Sequence, residues 1–174
     1  MIGDPKQAIY SFRGADIFTY MKARNNVSAH YSLDFNYRSS PEMINAVNTF
    51  FECCPAPFIY EDDIPFLAVK APSIKRKKLV TKNFDDPTQT ALQFIHTAGG
   101  ENADSFKQSI TIACVNEIKN LLILAQQGKA YLENAQGEQQ AIRANDIAIL
   151  VRTGKEANLI RRALLDENIN SVYL

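Results

Sequence analysis

Met1-Ile2-Gly3-Asp4-Pro5-Lys6-Gln7-Ala8-Ile9-Tyr10-Ser11-Phe12-Arg13-Gly14-Ala15-Asp16 is the stretch on which the reading of this 174-residue chain turns. The apolar pair Met1-Ile2 reads as a strand end, and the polar residues after it read as a loop. Gly3, Pro5 and Gly14 restrict or release the backbone where a tight loop needs it. The Gln7 amide and the Arg13 guanidinium can reach phosphate oxygens. The Phe12 ring can take a nucleobase on its face. Asp16 is a plausible N-cap, and Ile17, Tyr20 and Met21 follow at helical spacing, so a short helix is expected from Asp16 to about Arg24.

Outward from this stretch, His30 to Phe35 alternates and predicts a short strand leading into Asn36-Tyr37-Arg38. Ser39-Ser40-Pro41-Glu42 opens a second helix. Ser39 and Glu42 have capping-box spacing, and Pro41 is tolerated in a first turn. Ile44, Val47, Phe50 and Phe51 form its expected buried face, and Pro55 stops it. This would hold Tyr37 and Arg38 on a rigid mount at the mouth of a helix.

Residues 55–90 carry Pro55, Pro57, Pro65 and Pro72 and are expected to be irregular. The acidic run Glu61-Asp62-Asp63 and the basic run Lys75-Arg76-Lys77-Lys78 read first as solvated loop charge, with DNA phosphates a second reading for the basic run. Leu79 to Phe84 and Ala91 to Thr97 are strand candidates. A long helix is expected from Asp104 to Gln127 on the stripe Ile110, Cys114, Ile118, Leu121, Leu122, Ala125, with Gly128 ending it. Tyr131-Leu132 and Ala141-Ile142 flank a turn at Gln136-Gly137. Ile147-Ala148-Ile149-Leu150-Val151 reads as a parallel strand buried on both faces. Thr153 and Glu156 box the start of a last helix with Leu159, Ile160, Ala163 and Leu164 inward. Ser171-Val172-Tyr173-Leu174 opens one more strand. The alternation predicts an α/β fold with a mostly parallel sheet.

Composition limits the function classes. Nineteen basic and nineteen acidic residues cancel, which argues against a dedicated polyanion-binding module. Three cysteines, Cys53 and Cys54 adjacent and Cys114 apart, argue against a disulfide framework. His30 and His96 stand far apart without metal-ligand spacing, so no metal site is expected. No apolar run reaches the roughly 18 residues of a membrane span, and the first residues do not form a secretory signal. A cytoplasmic protein with no membrane partner is expected.

The opening stretch closely resembles motif III of the superfamily 1, UvrD/Rep-like DNA helicases. Leu33-Asp34-Phe35-Asn36-Tyr37-Arg38-Ser39-Ser40 resembles motif IV of the same family. Asp16-Ile17-Phe18-Thr19-Tyr20-Met21-Lys22-Ala23 and Asp63-Ile64-Pro65-Phe66 look most like the beta-subunit family of exodeoxyribonuclease V. The specific motifs occupy only residues 3–16 and 33–40.

The resemblance implies part of a RecA-like, P-loop NTPase-type motor. Residues 1–32 would end motor domain 1, and residues 33–174 would begin motor domain 2, also termed 2A. It implies Gln7 as γ-phosphate sensor and Arg38 as arginine finger, the two catalytic positions. Tyr37 would stack on adenine. Arg13 would couple the nucleotide to DNA. Phe12, where relatives often carry tryptophan, would stack on a base of the single strand. The activity implied is 3′→5′ unwinding driven by ATP and Mg²⁺, in a helicase–nuclease for double-strand-break repair and recombination. Single strands and duplex ends of DNA, and subunits of the RecC and RecD kind, are the implied partners.

Taken singly, Phe12 reads as a core ring, Tyr37 as an ordinary half-buried tyrosine, and Arg13 and Arg38 as surface ion pairs. Only their motif context lifts them. No Gly-x-x-x-x-Gly-Lys-Ser/Thr occurs, because Gly128-Lys129 and Gly154-Lys155 lack both the earlier glycine and the hydroxyl residue. No acidic strand-end motif for Mg²⁺ precedes Gly3, and no nuclease carboxylate cluster appears. The expectation is therefore an internal fragment of a longer enzyme, inactive alone. A non-catalytic α/β interaction module and a UvrD-type repair helicase without a nuclease are the alternatives.

Overall fold

The computed structural model describes residue 4 and residues 16–58, 60, 62–82, 91–96 and 102–173. The chain divides into two compact units, Met1–Ser73 and Ile74–Leu174.

In the first unit, α1 spans Ile17–Asn25 and α2 spans Pro41–Glu52. Asp16 caps α1 as expected. Its carboxylate accepts the Phe18 N–H at 3.0 Å and the Thr19 hydroxyl at 2.6 Å. Ile17, Tyr20 and Met21 are half-buried. α2 starts one residue later than its capping box implied. Ser40, not Ser39, is the cap, with its hydroxyl accepting the Met43 N–H at 3.2 Å. The reason is Pro41: the residue before a proline is driven out of the helical region, and Ser40 is extended at φ −66°, ψ 157°. Ile44 is buried, while Phe50, expected inward, is 54% exposed. The apolar weight comes instead from Phe51, which stacks on Phe66 at 5.2 Å and meets Phe58 at 5.6 Å.

In the second unit, α3 spans Ala103–Gln126 and α4 spans Gly154–Asp166. Both begin with a capping box: Asn102 with Ser105, and Thr153 with Glu156. β1 (Lys78–Thr81), β2 (Ala130–Glu133) and β3 (Gln139–Ala141) form one sheet in that order. Both pairings are antiparallel, with Val80 opposite Tyr131 and Leu132 opposite Gln140. Gly128 and Gly137 take φ of +69° and +84°, ending α3 and turning the β2–β3 hairpin.

Among the described residues the sheet is therefore a small antiparallel one, and the expected mostly parallel sheet is not seen there. Residues 30–34, 91–96, 147–151 and 171–173 form no strand there. The one parallel bridge described joins Phe35 and Lys70. The physical reason is visible at residues 147–151, which present two apolar faces and, among the described residues, find a partner for only one. Ile147 and Ile149 pack on the core, whereas Leu150 is 97% exposed. β1 is also shorter than the expected Leu79 to Phe84, and Phe84 lies outside the described residues.

Val115, Ile118 and Leu164 make the centre of this unit where α3 meets α4. A second cluster, Ala125, Ala130 and Ile142, ties α3 to the hairpin, and Ile147 packs on both. α4 closes in a Schellman turn. Asn168 adopts φ +60°. Its N–H bonds the Leu165 carbonyl at 2.9 Å, and the Ile169 N–H bonds that of Leu164 at 2.9 Å. Ile169 thereby returns to the same core.

The cap of α1 carries a pH dependence. Hydrogen bonds from Thr19 and from the Phe18 N–H hold the Asp16 carboxyl below its ordinary value of 3.8. A depressed folded value means that the cap's stabilisation is complete above the unfolded value and is lost as pH falls through the folded one. Thr19→Ala should move the Asp16 titration upward toward 3.8. Side-chain carboxyl NMR shifts check this, and an unmoved titration would remove Thr19 as the cause.

Candidate nucleotide-facing site

Of the residues proposed for the site, Gln7, Phe12 and Arg13 lie outside the described residues. Tyr37 and Arg38 are described, and their mount can be followed bond by bond. The Lys70 N–H donates to the Asp34 carbonyl at 2.7 Å, and the Asn36 N–H donates to the Lys70 carbonyl at 3.0 Å. These two bonds fix the backbone on either side of Phe35. The Asn36 side chain then turns it. Its Oδ1 accepts the Arg38 N–H at 2.8 Å and the Ser39 N–H at 3.1 Å, the local bonding that suits asparagine to turns. α2 starts directly afterwards.

Lys70 is itself held. The Asn48 amide on α2 donates to the Val69 carbonyl at 2.9 Å, and its Oδ1 accepts the Val69 N–H at 3.3 Å. One side chain here does the work of a neighbouring strand. Asn48 and Lys70 are positioning residues that the sequence reading missed. An amide on a helix surface gives no periodic signal, and its partner lies 21 residues away.

On this mount Tyr37 is 66% exposed. Its ring lies 6.4 Å from that of Phe35 and is tilted by 50°. Arg38 is exposed and makes no ion pair with a carboxylate among the described residues. The surface-ion-pair reading of Arg38 therefore finds no partner there. The pair offers an open aromatic face beside a planar, permanently charged fork, the two groups that suit a base and a phosphate.

The basic run is differently placed. Lys78 pairs with Glu133 at 3.1 Å, and Lys77 donates to the Gln140 amide oxygen at 3.0 Å. These contacts tie the run to its own sheet and favour the solvated-charge reading. Among the described residues, no helix is long and apolar enough to cross a membrane. Burial pushes the Cys114 thiol above its ordinary value, away from nucleophilic use.

The UvrD/REP helicase N-terminal domain family matches residues 1–28. Similarity to named proteins runs further. The chain is 42% identical to the RecBCD enzyme subunit RecB of Escherichia coli (strain K12), over 100% of its own length and 14% of that protein's. Along its own length the chain is similar to RecB. The RecB of Buchnera aphidicola (subsp. Acyrthosiphon pisum) is 44% identical over 99% of the chain, and that of Haemophilus influenzae 37% identical over 100%. The chain spans 14% of the length of each of these RecB relatives.

Proposed function

We propose that this RecB-like chain works within an ATP-dependent 3′→5′ DNA helicase subunit of a helicase–nuclease that processes DNA ends in double-strand-break repair and recombination. The observation that carries this is the exposed Tyr37–Arg38 pair, which no carboxylate engages among the described residues and whose backbone Asn36 holds at the mouth of α2. A surface arginine without a role has no need of such a mount. The whole-length likeness to RecB favours a helicase–nuclease over a UvrD-type helicase acting alone.

In this reading Arg38 holds γ-phosphate oxygens with its fork and offsets charge that develops during transfer. Tyr37 gives its ring face to adenine. Gln7 orients the attacking water and senses the terminal phosphate. Arg13 links that event to DNA, and Phe12 stacks on a base of the strand. Mg²⁺, when bound, would supply charge neutralisation to the phosphates, and no ligand for it is proposed from this chain. The phosphate cradle likewise belongs to protein outside this sequence. Residues 1–32 are assigned to motor domain 1 and residues 33–174 to motor domain 2.

The outward apolar side chains of residues 147–151 and 171–173, with Leu150 97% and Val172 84% exposed, suit strands of a RecA-like parallel sheet completed elsewhere. RecC-like and RecD-like subunits are the proposed partners, in the cytoplasm.

The test is ATP turnover. The 174-residue chain alone should show no DNA-stimulated hydrolysis, while a protein of full RecB length carrying it should show strong stimulation. Turnover by the isolated chain would overturn the division of the site.

A further inference from the structure

A concave surface lies well away in sequence from the motifs. It is a cavity of about 320 Å³ between the last turns of α4 and the segment that follows. Asn158, Arg161, Arg162, Asn170 and Ser171 supply its polar groups, Ile169 contributes apolar lining, and no carboxylate lines it. The Schellman turn builds this shape. By sending Ile169 back to the core, it lays residues 169–171 beside the face that carries the two arginines. Neither guanidinium makes an ion pair among the described residues. The nearest acidic neighbours in sequence do not compete inside the cavity. Glu167 is paired with Lys119, and Asp166 is not part of the lining.

Charge decides what such a cavity takes. The end of a helix carries roughly half a negative charge, and two arginines outweigh it. Two forks, two carboxamides and a hydroxyl offer donors in several directions, which suits a tetrahedral oxyanion better than a planar one. We infer that this cavity is a binding site for the phosphodiester backbone of a nucleic-acid strand. The inference rests on the nucleic-acid reading above and adds a contact that reads no base.

The experiment uses the 174-residue chain, a short fluorescein-labelled oligothymidylate and a salt series. Each phosphate contact to a single strand adds about 0.7 to the slope of log affinity against log salt. Arg161→Gln with Arg162→Gln should therefore flatten the slope by about 1.4 and weaken binding by about 25-fold near 0.1 M salt. Lys155→Gln, a single charge removed from the exposed first turn of α4, should leave both nearly unchanged. Arg161→Lys with Arg162→Lys should restore most of the slope. In side-chain ¹⁵N spectra, the Nε–H signals of Arg161 and Arg162 should move with the oligonucleotide and not with inorganic phosphate or polyglutamate at equal charge.

Coincident slopes for wild type and the Gln pair would overturn the site while leaving strand binding elsewhere intact. Saturation by inorganic phosphate alone would reassign the cavity to a free phosphate. An equal response to polyglutamate would reassign it to an acidic protein segment. Absence of any oligonucleotide binding would sink this inference, whereas the reading of Tyr37 and Arg38 stands or falls on ATP turnover.

Discussion

Arg38→Ala in a full-length RecB-type protein carrying this chain is expected to slow DNA-stimulated ATP turnover by about a thousandfold or more. The ATP concentration for half-maximal rate should change far less. The asymmetry follows from where the charge acts. A cation that meets the phosphoryl group mainly as charge develops stabilises the transition state more than the bound substrate. Arg38→Lys should recover only part of the loss, because an ammonium lacks the two-pronged geometry. The exposed side chain has no ion pair to lose among the described residues. The variant should therefore melt like the parent, and a rate loss would not report unfolding. Unchanged turnover in Arg38→Ala would remove this residue from the mechanism.

The second large effect concerns folding. Leu164→Ala should destabilise the unit formed by residues 74–174 by about 3 kcal/mol. Leu164 is 3% exposed and is central to the cluster with Val115 and Ile118. Three methylene-sized carbons are lost, and the cavity lies between two helices held by their own capping boxes, so the site collapses poorly. With a slope near 1.5 kcal/mol per molar urea, the midpoint should fall by about 2 M. Leu165→Ala supplies the contrast one position along. Leu165 is 63% exposed, and its truncation should stay within about 0.5 kcal/mol. Equal losses at the two positions would mean that α4 does not bury the face described.

Comparing these elements with the residues shows what is legible and why. Helix starts are written locally, in a cap and its partner three residues on. Asp16 and Thr153 cap as expected, and Asn102, not singled out in the sequence, caps α3 just ahead of the expected start at Asp104. The slip from Ser39 to Ser40 comes from the restriction that Pro41 places on its predecessor. Strands are not local objects. Residues 147–151 have the composition of a buried strand, but a ladder needs a second chain segment, and the described residues contain none for it. β2 and β3 are paired because the turn at Gly137 brings their partners within a few residues. For the candidate site, the proposed side chains stand out only through the resemblance of their motifs, whereas the groups that hold the backbone around Tyr37 and Arg38 do not stand out at all. Asn36 leaves a faint turn signal, and Asn48 and Lys70 leave none.

The tether between Asn48 and Val69 has a consequence for synthesis on the ribosome. α2 and the Asn36 turn leave the exit tunnel first, yet the backbone beside Phe35 gains its partner only when Lys70 has emerged. Until then the guanidinium rides on an unfastened chain. Closing a loop of this size carries an entropic penalty that grows only slowly with length, so the clasp can shut as soon as its far end appears. An insertion between residues 53 and 68 would lengthen that loop at small energetic expense, whereas loss of the Asn48 amide would leave the clasp with nothing to grip.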